Sequence, residues 1–256
     1  LQQKLLDAGE TATRSGGTTL DAIRRSVGTL PRKWLVAITL LAGLSATLAV
    51  AVAAPSPDWT FAALSGPVQS AMSVAVPFFG VLLAGDLRRA PRPVRAAPTL
   101  LGALSVAAVA GVFGTLICVV MLAVSEPDAA HTPWSHVGTI AAGGVLVQMT
   151  AQLAGTGLGL LLRPPVVAFL ATIVLPMGLW AVLGAVDVLR PAQGWLTPHP
   201  SVQNLLSGPM TPFMWGQWLT VLLIWGAGLN AVGVMLMKRR NLTDNPPQIP
   251  SNNSES

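Results

Sequence analysis

The sequence predicts an all-α polytopic membrane protein: six transmembrane helices, an amphipathic interfacial helix before the first, and an outer re-entrant element between spans five and six. Composition is the first reason. Of 256 residues, 52% are hydrophobic and 10% charged, and the mean hydropathy is +0.62, which lies outside the range of ordinary water-soluble domains. The second is length, because the apolar residues gather into six runs. A helix rising about 1.5 Å per residue needs about 20 residues to cross roughly 30 Å of hydrocarbon. The third is charge: basic residues occupy alternate gaps between the runs, as they do when a bilayer sorts loops by side.

Residues 1–33 precede the membrane. They lack the continuous apolar core of a signal peptide, so the amino end is expected in the cytoplasm. Within them, "TLDAIRRSVGTL" sets Leu20, Ile23, Val27 and Leu30 at helical spacing, with Asp21, Arg24 and Arg25 elsewhere around the helix. Such a helix favours the inner interface before the chain turns at Pro31. The transmembrane domain is expected over residues 34–237. Its spans are Trp34 to Ala54, Gly66 to Ala84, Thr99 to Val124, Val137 to Leu162, Val166 to Val186 and Met214 to Met237. The second is short and carries Pro67 and Pro77, which a membrane helix tolerates when neighbours satisfy the freed carbonyls. Between spans five and six, Asp187 to Phe213 is too long for a turn and contains Trp195, Val202, Leu205 and Leu206. It reads as a short helix or half-helix dipping into the outer leaflet. Residues 238–256 end in a polar, proline-rich tail expected to be disordered.

The basic residues fix the topology. Lys4, Arg14, Arg24, Arg25, Arg32 and Lys33 precede the first span; Arg88, Arg89, Arg92 and Arg95 lie between the second and third. Arg163 follows the fourth, and Lys238, Arg239 and Arg240 follow the sixth. All fourteen fall on one side if six helices alternate, against Arg190 alone on the other. Both termini are therefore expected in the cytoplasm. The excess of arginine over lysine, amid abundant Ala, Gly, Val and Pro, reads as the bias of a GC-rich bacterial genome, which points to a bacterial plasma membrane.

Several chemistries are excluded or left weak. No loop of the phosphate-cradling kind is present, so this chain has no ATPase site of its own and is not expected to be an enzyme. The net charge of +5 is distributed at span ends rather than on a soluble face, which argues against nucleic acid. Cys118 is the only cysteine, excluding an intrachain disulfide and a cysteine-based metal cluster. "GTGLGL", Gly155 to Leu160, has the wrong spacing for a dinucleotide loop and suits close helix packing. His131 and His136 can contribute to a metal site or simply be solvated. No ionised residue stands midway through a span, where an ion-coupled carrier would place one. The polar residues that do occur there are neutral and include Gln69, Ser73, Gln148, Gln152 and Thr172. Gln148 and Gln152 share a helix face. Such residues can line a translocation path or hydrogen-bond between helices.

This layout resembles the membrane subunit of type 2 ABC exporters, from about Leu20 to Asn241. The local similarities are "GVLLAGDLRR", with Asp86 as the acid after span two, the connection "APRPVRAAP", the outer "TPHPSVQNLLSGPMTP", and "AVGVMLMKRRNL" leaving span six. Asp86 stands where a glutamate is more usual. The resemblance implies a permease that exports an amphipathic or hydrophobic substrate (drug, lipid-like molecule or peptide). ATP and Mg would be bound by two copies of a separate ABC ATPase subunit, and the permease would pair with a second permease subunit as a homodimer or heterodimer. It also implies that Asp86, Leu87, Arg88, Arg89, Arg92, Arg95 and Arg163 form or flank the ATPase-coupling loop. On the residues alone, the arginines could equally set topology and bind anionic membrane lipids. A non-transporting membrane anchor or assembly subunit is the alternative function.

Overall fold

The computed structural model describes residues 30–53, 59–89, 96–125 and 132–244. The interfacial helix expected over residues 19–30 lies, but for Leu30, outside the described residues, as do Arg92, Arg95, His131 and the tail beyond residue 244; the chain does not turn at Pro31, since Leu30 and Pro31 begin the first long helix. Every regular element among the described residues is helical. Six of the helices are long and apolar enough to cross a membrane: Arg32–Ala53, Phe61–Arg88, Leu100–Val124, Val137–Leu161, Pro165–Ala185 and Pro212–Met237. The number agrees with the sequence expectation.

Helix α1, Leu30–Ala53, has Pro31 in its first turn, where a missing N–H leaves no bond unmade. Its two threonine hydroxyls are satisfied locally, Thr39 and Thr47 donating to the carbonyls of Leu35 and Gly43. Trp34, Ile38, Leu41, Leu44, Leu48 and Val52 form an exposed stripe at helical spacing. Helix α2, Phe61–Arg89, is longer at both ends than the run Gly66 to Ala84. It starts early because Thr60 caps it, Oγ1 accepting from the Ala63 N–H at 3.2 Å. Both prolines lie inside it. Helix α3 is Ala96–Val124, α4 is Val137–Leu161 and α5 is Pro165–Ala185.

The connection between the fifth and sixth long helices is itself helical. A 3-10 turn at Arg190–Ala192 leads into α6, Gln193–Leu196, and then α7, Pro198–Ser207. Helix α7 buries Leu205 and Leu206 and stops at Gly208, whose φ of 100° suits a residue without a Cβ. The last long helix is interrupted. It comprises α8, Pro212–Val221, a π-helical stretch Leu222–Gly228, and α9, Leu229–Asp244.

Helix α4 is the centre. It packs most extensively on α2 and also against α3, α5, α7 and the last helix. Its contact with α2 is made backbone to backbone: a Cβ on Gly155 would stand 2.2 Å from the Pro77 carbonyl oxygen, and one on Gly80 would stand 2.5 Å from the Thr156 nitrogen. In the "GTGLGL" stretch, Gly157 lies against Leu229 and Gly159 against Val81. Small residues permit this approach, which gives two helices dispersion contact that larger side chains would prevent. Helix α5 is peripheral, burying only Ala168 and Leu183 along its length.

Candidate functional site

The charged end of the molecule brings together residues far apart in sequence. Asp86, Leu87 and Arg88 lie in the last turn of α2 and Arg89 ends it, so this part of the expected coupling segment is helix rather than loop. Arg32, at the start of α1, is buried and forms an ion pair with the half-exposed carboxylate of Asp86. Arg88 reaches in the other direction. Its guanidinium donates to the Leu162 carbonyl at 2.8 Å and to the Arg163 carbonyl at 3.2 Å, capping the C-terminal end of α4, where carbonyls lack helical partners. The end of α2 is thereby tied to α1 on one side and to the α4–α5 turn on the other. Arg163 itself is exposed. On the opposite end, Arg190 pairs with Asp187 at 2.7 Å, both well exposed, a contact worth little in water.

Gln69 and Gln148 occupy the interior. The Gln148 Nε2 donates to both the backbone carbonyl and Oε1 of Gln69, each at 2.9 Å. Gln69 Nε2 in turn donates to the Gly111 carbonyl at 2.9 Å. One chain of amides thus links α4 to α2 to α3, with both side chains fully buried. Gln152, one turn along, meets α2 beside its proline. With its amide turned so that nitrogen faces the acceptor, it donates to the Val76 carbonyl at 2.8 Å and accepts from the Gly80 N–H at 3.2 Å. It bridges two groups that an uninterrupted helix would bond to each other. Gln148→Leu should therefore cost about 1–2 kcal/mol. Thermal unfolding in micelles, run as a double-mutant cycle with Gln69→Leu, should find the two losses coupled; simple additivity would mean that the tie does not form.

Ser73 and Thr172 are placed differently. Both line a cavity of about 280 Å³ bounded by α2, α4, α5, α7 and the π-helical stretch. Its wall includes Pro77, Thr150, Pro176, His199 and Trp225, and the remaining residues are mostly apolar. Among the described residues the cavity is not lined by Gln69, Gln148 or Gln152. Gln152 instead borders a void of about 10 Å³ next to Arg32, room for about one water. Of the five residues expected on a translocation path, two meet at the cavity and three act between helices.

The π-helical stretch forms one side of the cavity. Trp225 lies within it and donates from Nε1 to the Leu196 carbonyl at 2.9 Å, fastening the last helix to the end of α6. Asn230, just beyond, donates to the Leu153 carbonyl at 2.8 Å and the Gly226 carbonyl at 2.6 Å. His199 stacks edge-on against Trp180 at 5.4 Å and lies 3.2 Å from Gln203. No group of three or more His, Cys, Asp or Glu able to hold a metal occurs among the described residues.

Sequence reasoning does not single out Arg32, Thr150, His199 or Trp225 as site residues, nor the presence of both Pro77 and Pro176 on the cavity wall. One signal was available: Ser73 and Thr172 each stand four residues before a proline. No family model, curated protein or solved structure matches this chain.

Proposed function

We propose that this chain is the membrane-spanning permease subunit of an ATP-driven ABC exporter in a bacterial plasma membrane, with both termini cytoplasmic. One observation supports this reading above the others: a single helix, α2, carries a cavity wall at its middle and a tethered charged turn at its end. A push delivered at Asp86–Arg89 would reach Pro77 and Ser73 along one continuous helix, whose break at Pro77 is braced by Gln152, and would also load α1 and the α4–α5 turn. That is the mechanical arrangement a transporter driven by a soluble partner requires.

In this reading ATP and Mg are bound by two copies of the partner ATPase, and a second permease subunit, identical or not, completes the assembly. The substrate is amphipathic or hydrophobic, in keeping with a cavity that is mainly apolar. Helix α7 is the outer re-entrant element. The exposed apolar faces of α1 and α5 meet lipid or the second permease subunit.

Arg163 offers the cleanest test. Its backbone carbonyl, not its side chain, receives Arg88, so Arg163→Glu reverses charge on the proposed docking face while leaving that contact available. In the complex purified by gentle detergent extraction, the variant should bind the ATPase about tenfold more weakly. Unchanged assembly and unchanged ATP hydrolysis would overturn the contact. Co-purification with a complex that contains no ATPase would instead favour a non-transporting membrane anchor or assembly subunit.

A further inference from the structure

Two walls of the cavity repeat one arrangement. In α2, Ser73 stands four residues before Pro77; in α5, Thr172 stands four before Pro176, and all four residues line the cavity. Proline has no N–H, so neither the Ser73 nor the Thr172 carbonyl can receive the amide bond that a helix supplies from four residues on. The hydroxyls at these positions are already committed as donors. Ser73 Oγ donates to the Ser70 carbonyl at 2.8 Å, and Thr172 Oγ1 to the Phe169 carbonyl at 2.7 Å. Thr150, on the α4 wall, does the same toward the Leu146 carbonyl at 2.8 Å. What these three hydroxyls have left to offer is lone pairs.

The polar part of the wall is therefore rich in acceptors, and among the described residues no Asp, Glu, Lys or Arg lines it. Apart from the Ser70 hydroxyl and the His199 ring, which lies 3.2 Å from Gln203 and edge-on to Trp180, an anion would meet lone pairs there. A full cation would be desolvated without a carboxylate to pair with, at a large cost. A neutral O–H meets neither difficulty. The volume, about 280 Å³, is nearly twice that of the roughly 150 Å³ apolar cavity that accepts benzene, so it suits a ring or a folded chain rather than a bulky headgroup. Ser70 and Val74 on α2, with Ile173 and Met177 on α5, line the cavity and are exposed near the middle of their helices. The entrance consequently faces the flank of the bundle, where lipid would lie.

We propose that this cavity binds a slender, neutral amphiphile whose head is a hydrogen-bond donor, a long-chain alcohol in the simplest case, taken up sideways from the bilayer between α2 and α5. The assignment rests on the same cavity as the transport reading and deepens it by naming the substrate class.

The full chain in lipid nanodiscs is labelled with a diazirine-bearing dodecanol, and the modified peptides are mapped by mass spectrometry. Label should concentrate in residues 70–77 and 172–177. Dodecanol should compete about tenfold better than its methyl ether, the worth of one buried hydrogen bond. Thr172→Val, close in shape but without the hydroxyl, should weaken competition by dodecanol several-fold and leave the ether unaffected. Equal competition by alcohol and ether overturns the proposal, as does label elsewhere or stronger competition by dodecyltrimethylammonium. The assay contains no ATPase, which keeps the two readings apart. An exporting complex whose substrate fails to compete here removes this assignment alone, whereas competition as expected in a chain with no ATPase partner removes the transport reading alone.

Discussion

Gly155→Val is expected to prevent the chain from accumulating as a folded, monodisperse species. A Cβ at that position would stand 2.2 Å from the Pro77 carbonyl oxygen and 2.6 Å from the Pro77 Cα. Both are backbone atoms, so no side-chain rotation can relieve the collision, and α2 and α4 must separate. Separation would also disturb the reciprocal contact at Gly80, 2.5 Å from the Thr156 nitrogen, and would pull the Gln152 amide from the Val76 carbonyl and Gly80 N–H that it bridges. Overpacking a core costs about 1–3 kcal/mol, and here the strain and lost hydrogen bonds add, so the loss should reach or exceed the top of that range. Gly66→Val is the control: nothing lies within 4 Å of a Cβ built there, and its cost should stay near 1 kcal/mol or less. Size-exclusion chromatography and thermal unfolding in detergent read both. A Gly155→Val protein with an unchanged unfolding midpoint would show that the two helices do not approach as described.

Ala151→Phe should have the opposite character, abolishing binding while sparing the fold. Ala151 lines the 280 Å³ cavity on the α4 side, and a phenyl group entering that space gains dispersion contacts instead of displacing backbone. The unfolding midpoint should be unchanged or raised. Photolabelling of the cavity wall by an apolar probe should fall by more than about tenfold, and export, under the proposed transport reading, should fall with it. Full labelling in a stably folded Ala151→Phe protein would mean that the cavity is not where ligands bind.

The parts of the molecule legible in advance are those governed by short-range properties. Hydropathy places span four to within a residue, because α4, Val137–Leu161, is bounded on both sides by residues that break the apolar run. Hydropathy underestimates span two. Its helix continues from Ala84 through Asp86 and Arg88 because those side chains find partners in Arg32 and the α4 end, a circumstance that hydropathy does not register. Gln69 and Gln148 were recognisable as polar residues within spans, but their pairing depends on α2 and α4 crossing with the two amides facing inward. Ser73 lies one turn from Gln69 on the same helix and yet lines the cavity, which α5 also borders, whereas Gln69 is fully buried between helices. Nothing local distinguishes the two positions.

Six membrane-length helices and the concentration of arginine in alternate connections were determined by the sequence itself, because hydropathy and charge are sums over neighbouring residues. Which polar groups bond across helices, which ones border empty space, and how the charged turn of α2 is fastened were decided only by the tertiary structure. These depend on the rotation and approach of whole helices, set by a few contacts such as Gly155 on Pro77, and a small change in either would exchange a buried amide for a cavity-lining one.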